Sequence, residues 1–415
     1  MDHPTAPYPT YATALSAPPP PRLRRHRGRR IGELTAVGLL SAALASGGTW
    51  GVISVTDPGP TGTTSAASSP SAGSGASVVP VSSAAKTNPD WNAVTAAVSP
   101  SVVSITVEGN GSGGQGSGVV IDDSGHVLTN HHVVSGAGDD AKITVTLSDG
   151  KTYAATIAGE DASTDLAVVS LTDPPDDLRP ITIGSSQQLQ VGDPVMAVGN
   201  PLGLSGTVTT GIVSALDRPV TTSSADEQEQ QGSPFGPQQQ SSSTPVVTSA
   251  IQTSAAVNPG NSGGALVDAA GRLVGINSSI ATLGGSEGQS GSIGIGFAIP
   301  VDEAQWIAEQ LIEDGTAQHA FLGVTPTDGT ATVGSATRSG AEIRSVTSGS
   351  PAEDAGLREG DLVVGVDDSP VTSAESLVGL VHARRIDTQV ELTVVRDGRE
   401  EQVTATLGTA PTAQG

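Results

Sequence analysis

The sequence predicts a mostly-β protein of more than one domain, and three observations carry that expectation. Aromatic residues make up only 2% of the 415 residues, while Gly and Pro number 53 and 28, a composition suited to short elements joined by many turns. Short apolar runs, several with period-two alternation, follow one another at close spacing between residues 102 and 299. The chain is also longer than one compact domain, so two to three are expected.

Residues 1–30 read as a disordered, basic cytoplasmic tail. Six of the 19 basic residues fall between Arg22 and Arg30, directly before Leu34 to Val55, twenty-two residues without a charge. That length can cross a bilayer, and the arginines hold the N-terminus inside. Residues 31–55 are therefore expected to form an N-terminal transmembrane helix, with the rest of the chain outside. A signal peptide cleaved after Ala43-Leu44-Ala45 is the alternative, and it also exports the remainder. Glycines at 47, 48 and 51 argue against a buried helix, and Arg29-Arg30 alone is a weak sign of twin-arginine export. Residues 56–89 read as a flexible linker. Only Asp2 and Glu33 are acidic before Leu34, so the exported part sets 13 basic residues against 40 acidic ones. Such a balance excludes a nucleic-acid partner, since phosphate neutralisation needs clustered cations. The absence of cysteine is compatible with export, which permits disulfides without requiring them.

Order is expected from about Trp91. Strands are predicted at 102–107, 118–121, 127–129 and 143–147, with turns at Asp122-Asp-Ser-Gly125 and Ser148-Asp149-Gly150. More follow at 194–198, 208–215, 265–267, 273–277 and 293–299, which together indicate a sandwich or barrel. Residues 221–245 are read as a polar, mobile insertion between two of these strands. A helix should close the unit at 302–315, because apolar residues recur at Ala304, Ile307, Ala308, Leu311 and Ile312. Asp302 with Gln305 resembles a capping box there and Gly315 supplies the stop. A second domain follows, and residues 409–415 read as a disordered tail.

The residues with chemistry centre on Ser262, set in Gly260-Asn261-Ser262-Gly263-Gly264. Glycines on both sides let the chain turn sharply, exposing a hydroxyl while nearby amides converge. The pentapeptide also fits the G-x-S-x-G elbow of α/β-hydrolases, in which acid and histidine follow the serine. Downstream lie only His319, after a helix stop, and His382, in an amphipathic stretch of the second domain. Upstream, His131 and His132 end one apolar run and Asp165 starts another, so the order histidine, aspartate, serine is that of the chymotrypsin type. In an extended segment adjacent side chains face opposite ways, so only one of the two histidines can meet the serine. His126 is expected to be exposed in a turn, and Asp161 and Asp173, among loop residues, are weaker rivals to Asp165.

Thr129-Asn-His-His-Val-Val134, Thr164-Asp-Leu-Ala-Val-Val169, Asn258-Pro-Gly-Asn-Ser-Gly-Gly264 and Gly294-Ile-Gly-Phe-Ala-Ile-Pro300 resemble the HtrA (high-temperature-requirement) family of trypsin-fold serine proteases. Phe321-Leu-Gly-Val324 and the run from Gly349 to Val364 are similar to that family's PDZ domain. The resemblance implies a chymotrypsin/trypsin-like double β-barrel of two six-stranded barrels at 90–315, followed by an α+β PDZ domain at 319–408. It places the base at His132, directly before Val-Val, with Asp165 as its acid and Ser262 as nucleophile; the amides of Gly260 and Ser262 match the oxyanion donors. It also puts Ala256 at the base of the primary specificity pocket, with Asn277, Ser278 and Ser279 in the opposing wall. None carries a charge, so cleavage is expected after small or medium aliphatic residues. In the second domain Leu322, Gly323 and Val324 correspond to the loop that captures a peptide C-terminus, opposite a helix beginning near Ala374 and capped by Ser373.

Polypeptide substrates outside the membrane, C-terminal peptides at the PDZ domain and a homotrimer are the implied partners. No cofactor is implied, and no H-E-x-x-H or comparable metal-ligand cluster occurs. Two features depart from the family: Ser254 stands where many relatives have aspartate, and 221–245 lengthens a loop near the site. The alternative function is a protease-fold chaperone or scaffold that holds polypeptides.

Overall fold

The structure is a computed structural model that describes residues 88–109, 113–135, 141–201, 206–222, 246–258, 260–279 and 294–410. The expected tail 1–30 and transmembrane segment 31–55 lie outside those residues, as do nearly all of the linker 56–89 and the insertion 221–245; of the expected tail 409–415, Thr409 is instead paired with Ala320 in a strand and the Ala410 amide donates to the His319 carbonyl at 3.0 Å, the rest lying outside the described residues. Among the described residues no helix is long and apolar enough to cross a membrane.

The first ordered element is one the periodicity did not suggest, helix α1 (Trp91–Val98), whose N-terminus is capped by the Asp90 carboxylate accepting from the Ala93 amide at 3.1 Å. Strands β1 (Val102–Glu108), β2 (Gly113–Val120), β3 (His126–Thr129), β4 (Lys142–Thr146), β5 (Thr152–Asp161) and β6 (Leu166–Leu171) then close a barrel in the order β1-β2-β3-β6-β5-β4. A second barrel is built from β7 (Pro194–Gly199), β8 (Thr207–Thr222), β9 (Val246–Thr253), β10 (Ala265–Asp268), β11 (Leu273–Ser278) and β12 (Gly296–Pro300), in the order β10-β11-β12-β9-β8-β7. Closure pairs every strand on both sides and leaves no free edge. Strand β8 continues through Thr222, which pairs with Val246, so Thr221 and Thr222 belong to the barrel and not to the insertion.

Alternation along β1 explains how the barrels join. Val103, Ile105 and Val107 face the interior of their own barrel. Val102 lies on the other face, in a core shared with Val119 and Leu128, with Met196 and Ile276 of the second barrel, and with α1. Helix α3 (Val301–Glu313) seals that shared core with Ala304, Ile307 and Leu311. Its expected capping box does not form. The helix starts at Val301 after Pro300, so Asp302 already lies within the first turn, and its carboxylate accepts from Ser186 Oγ at 2.6 Å and the Gln187 amide at 3.0 Å. A further one-turn helix, α2 (His131–Val134), follows β3 where an extended segment was expected.

Residues 320–409 form an α+β module with its own core. Strands β13 (Ala320–Phe321), β14 (Val324–Val333), β15 (Ala336–Val346), β16 (Leu362–Val366), β17 (Ser369–Pro370), β18 (Gln389–Arg396), β19 (Arg399–Thr406) and β20 (Gly408–Thr409) surround helices α4 (Pro351–Asp354) and α5 (Ala374–His382). Ser373 caps α5, accepting from the Ser376 amide at 3.1 Å. The helix packs on β8 and β9 of the second barrel. Gly379 makes this close approach possible, because a Cβ there would lie 3.3 Å from the Ser249 nitrogen. Ser369 Oγ donates to Asp217 Oδ2 at 2.7 Å across the same contact. A Gly379→Val chain, whose branched side chain cannot fit against β9, should show faster hydrogen exchange at 246–250 and 374–382 with 102–107 unchanged.

Candidate active site

Ser262 lies in the loop between β9 and β10, and the loop's shape follows from its glycines. Gly263 has φ +81°, and a Cβ there would fall 2.1 Å from the Ser117 carbonyl oxygen and 2.3 Å from Thr129 Oγ1. The chain can approach β2 and β3 this closely only with hydrogen at that position. Ser117 fastens the loop: its amide donates to the Ser262 carbonyl at 2.8 Å and its hydroxyl to the Gly260 carbonyl at 2.7 Å. The Asn200 amide donates to Ser117 Oγ at 2.8 Å, and Thr129 Oγ1 donates to the Ser117 carbonyl at 2.7 Å. With their carbonyls engaged in this way, Gly260 and Ser262 leave their own amides without an acceptor among the described residues.

The first barrel supplies the histidine and the aspartate. Asp165 sits just before β6 with φ 58°, a left-handed conformation that aspartate tolerates, and its carbonyl accepts from Asn130 Nδ2 at 3.0 Å and the His131 amide at 3.1 Å. The His132 amide then donates to Asp165 Oδ1 at 3.1 Å, and His132 Nδ1 lies 2.8 Å from Oδ1 and 3.0 Å from Oδ2. A ring nitrogen donating to a carboxylate fixes the tautomer, leaving the Nε2 lone pair free. His131 points elsewhere, to Glu160 Oε2 at 3.7 Å. The two histidines separate as successive positions of a helical turn do, about 100° apart, and not by the strand alternation expected.

Residues from the second barrel complete the contacts. Ser278 Oγ donates to Asp165 Oδ2 at 3.0 Å, and Ser279 meets Ser262: the two hydroxyl oxygens are 2.5 Å apart and the Ser279 amide donates to Ser262 Oγ at 3.1 Å. Consecutive residues thus touch the aspartate and the serine, bringing Asp165 and Ser262 into one site. No hydrogen bond joins Ser262 to His132 among the described residues.

Asn277 and Ser278 do not present their polar groups as a pocket wall. Asn277 is fully buried and its Nδ2 donates to the Ala265 carbonyl at 2.9 Å, while the Ser278 hydroxyl is committed to Asp165. Ala256 is half-buried, and its carbonyl accepts from Thr209 Oγ1 at 2.8 Å. His126 is half-buried in β3 and bonded through Nδ1 to Asp122 Oδ2 at 2.6 Å, so it is not simply exposed. Ser117, Asn130 and Asn200 escaped the sequence reading. Only Ser117 had a signal, the small-residue run Gly116-Ser117-Gly118 inside a strand, which marks close backbone approach.

Leu322 and Gly323 precede β14, and Gly323 has φ +87°. Their amides have no acceptor among the described residues, whereas their carbonyls are held by the Ala352 and Thr347 amides, each at 2.8 Å. They open into a cleft of about 120 Å³ lined also by Val324, Leu377, Val378 and Val381.

A buried group of ionisable side chains lies where this module meets the first barrel. Burial alone would raise the Asp161 carboxyl, but hydrogen bonds from His319 (3.1 Å), Thr164 and Ser163 outweigh it and hold the group below its ordinary value. Burial lowers His382, and the nearby His319 charge adds to the effect. Glu303 on α3 is 3% exposed with Oε2 unpartnered; burial, then the Asp161 charge, push it up to about 8, with Arg384 opposing. The folded chain therefore keeps a proton on Glu303 that the unfolded chain releases above about 4.5. That contribution to stability is complete below this value and is lost as pH rises through about 8. Thermal unfolding across pH 5 to 9 should show Glu303→Gln gaining stability relative to the native chain as pH rises.

Two family comparisons agree with this architecture: the trypsin-like peptidase domain matches residues 116–276 and the PDZ domain matches 320–407. The chain is 42% identical over 404 residues to serine protease PepD of Mycobacterium tuberculosis, covering 94% of this chain and 81% of that one. It is 36% identical over 343 residues to the periplasmic pH-dependent serine endoprotease DegQ of Escherichia coli, covering 75% and 69%. Among solved structures it is similar to the HtrA-type protease AlgW with tripeptide, at TM-score 0.54 and 31% identity, covering 79% of this chain and 99% of that one.

Proposed function

The chain belongs to the HtrA family of trypsin-like serine proteases with a PDZ domain and is a serine endopeptidase, and from that premise we propose that Ser262, His132 and Asp165 are its catalytic residues. The observation that carries this reading is the His132 Nδ1 to Asp165 pairing, reached from Ser262 through the consecutive residues Ser278 and Ser279. Asp165 holds the imidazole with Nε2 available. Ser262 Oγ attacks a peptide carbonyl and loses its proton to Nε2, while the developing oxyanion accepts from the amides of Gly260 and Ser262. His132 returns the proton to the leaving amine, and water attacks the acyl-enzyme by the same route.

Ala256 at the base of the primary pocket and Ser279 at its edge carry no charge, which supports cleavage after small or medium aliphatic residues. The peptidase domain is read as 90–315 and the PDZ domain as 319–408. The unengaged amides of Leu322 and Gly323, at the end of an apolar cleft beside Val324, suit the carboxylate and terminal side chain of a peptide C-terminus. Residues 31–55, with their arginine flank, are read as a membrane anchor that leaves both domains outside the cytoplasm, acting on misfolded or exposed polypeptides. Assembly as a homotrimer is carried over from the family.

Casein cleavage tests the catalytic assignment: Ser262→Ala and His132→Ala should each lose at least about 10³-fold in rate, and undiminished cleavage by either overturns it. Profiling a peptide library should give Ala, Val or Ile before the cleaved bond, and dominance of Lys or Arg contradicts the pocket assignment.

A further inference from the structure

We propose that Ser279 is a positioning residue that holds the Ser262 hydroxyl in a resting orientation, so that the nucleophile must leave Ser279 before it can meet His132. The inference rests on the assignment of Ser262 as nucleophile.

A serine that attacks a carbonyl must aim its proton at a base and a lone pair at carbon. In this structure both partners of Ser262 Oγ come from Ser279, the hydroxyl at 2.5 Å and the donating amide at 3.1 Å. Either direction of the hydroxyl contact opposes attack. If Ser262 donates, its proton rests on a neutral alcohol that cannot serve as a base. If Ser279 donates, two donors draw on the Ser262 lone pairs and weaken the nucleophile.

The rest of the site is already assembled. His132 is paired with Asp165, the Gly260 and Ser262 amides have no acceptor among the described residues, and Ser117 clamps the backbone on both sides of the nucleophile. What separates this arrangement from a competent one is a rotation of the Ser262 side chain between staggered positions. Ser279 is itself held in place, because the preceding residue, Ser278, is buried and fixed by its bond to Asp165. Ser262 is 3% exposed whereas Ser279 is half-buried, so an incoming extended polypeptide meets Ser279 first and can break the contact as it binds. A small reagent gains no such displacement and reports on the latched hydroxyl.

Ser279→Ala removes the hydroxyl contact and keeps the amide one. A net hydrogen bond of ordinary strength shifts a two-position equilibrium by roughly three- to tenfold, and that is the expected rise in the rate of labelling by a fluorophosphonate probe. For a small aliphatic ester substrate kcat should rise by the same factor, a gain that a merely structural role would not produce. Ser279→Gly, which also lacks the hydroxyl, should match Ser279→Ala. Ser279→Thr, which restores it, should lose the rise seen in Ser279→Ala. Labelling of both Ser279→Ala and Ser279→Gly at or below the native rate overturns the proposal. Ser262→Ala run in parallel should not label; labelling that persists there overturns the nucleophile assignment itself, and so separates the two failures.

Discussion

The site depends on one buried serine that is not part of the chemistry. Ser117, on β2 of the first barrel, binds the Ser262 loop of the second at two points, through its amide to the Ser262 carbonyl and its hydroxyl to the Gly260 carbonyl. Each such bond contributes only about 0.5–1.5 kcal/mol net, but removing one strands a buried partner and costs more. A Ser117 side chain larger than a hydroxymethyl group would push the loop outward, and a smaller one would release the Gly260 carbonyl. A Cβ at Gly263 would lie 2.1 Å from the Ser117 carbonyl oxygen, so the loop lies on β2 this closely only with glycine there. The two barrels thereby present a histidine, an aspartate and a serine at one place, joined below by a shared apolar core.

This division of labour explains what was legible in the sequence. The strand at 143–147 announced itself because it has one buried face, from which period two follows, and those at 102–107 and 273–277 because burial on both faces leaves short, mostly apolar runs. The chain order of His132, Asp165 and Ser262 separated two unrelated hydrolase patterns with no structure in hand. Strand β5 was missed because Thr152 to Asp161 alternates weakly, with Ile157 left 41% exposed. Helix α1 was missed because only Val94 and Val98 of its eight residues are buried, too few to establish a helical period. The capping box at Asp302 failed for a tertiary reason, since Ser186 and Gln187 claim a carboxylate that local pattern assigns to its own helix. Ser278 and Ser279 were placed in the pocket by resemblance, yet their hydroxyls turn toward the aspartate and the serine. Side-chain direction at the end of this strand is set by partners distant in sequence, Asp165 of the first barrel for Ser278 and Ser262 for Ser279, which no local window contains.

The interface with the second domain has a different character. Gly379 allows helix α5 to lie on β9, and the same helix forms one wall of the apolar cleft. Its last residue, His382, has its ring 6.0 Å from that of His319, which in turn bonds to Asp161, four residues before Asp165. A continuous set of packed polar groups therefore runs from the cleft to the loop that holds Asp165. Glu303 and His382 are both displaced toward neutrality by burial, which keeps uncompensated charge out of this contact.

If the suture made by Ser117 delivers Ser262, His132 and Asp165 as one catalytic unit, a crystal structure of the chain reacted with an aliphatic peptidyl phosphonate will show a covalent bond to Ser262 Oγ, the phosphoryl oxygen accepting from the Gly260 and Ser262 amides, and His132 Nε2 turned to the adduct with the Ser117 bonds intact. An adduct on another residue, or one on Ser262 with His132 turned away from it, would show that the three residues do not act as one unit.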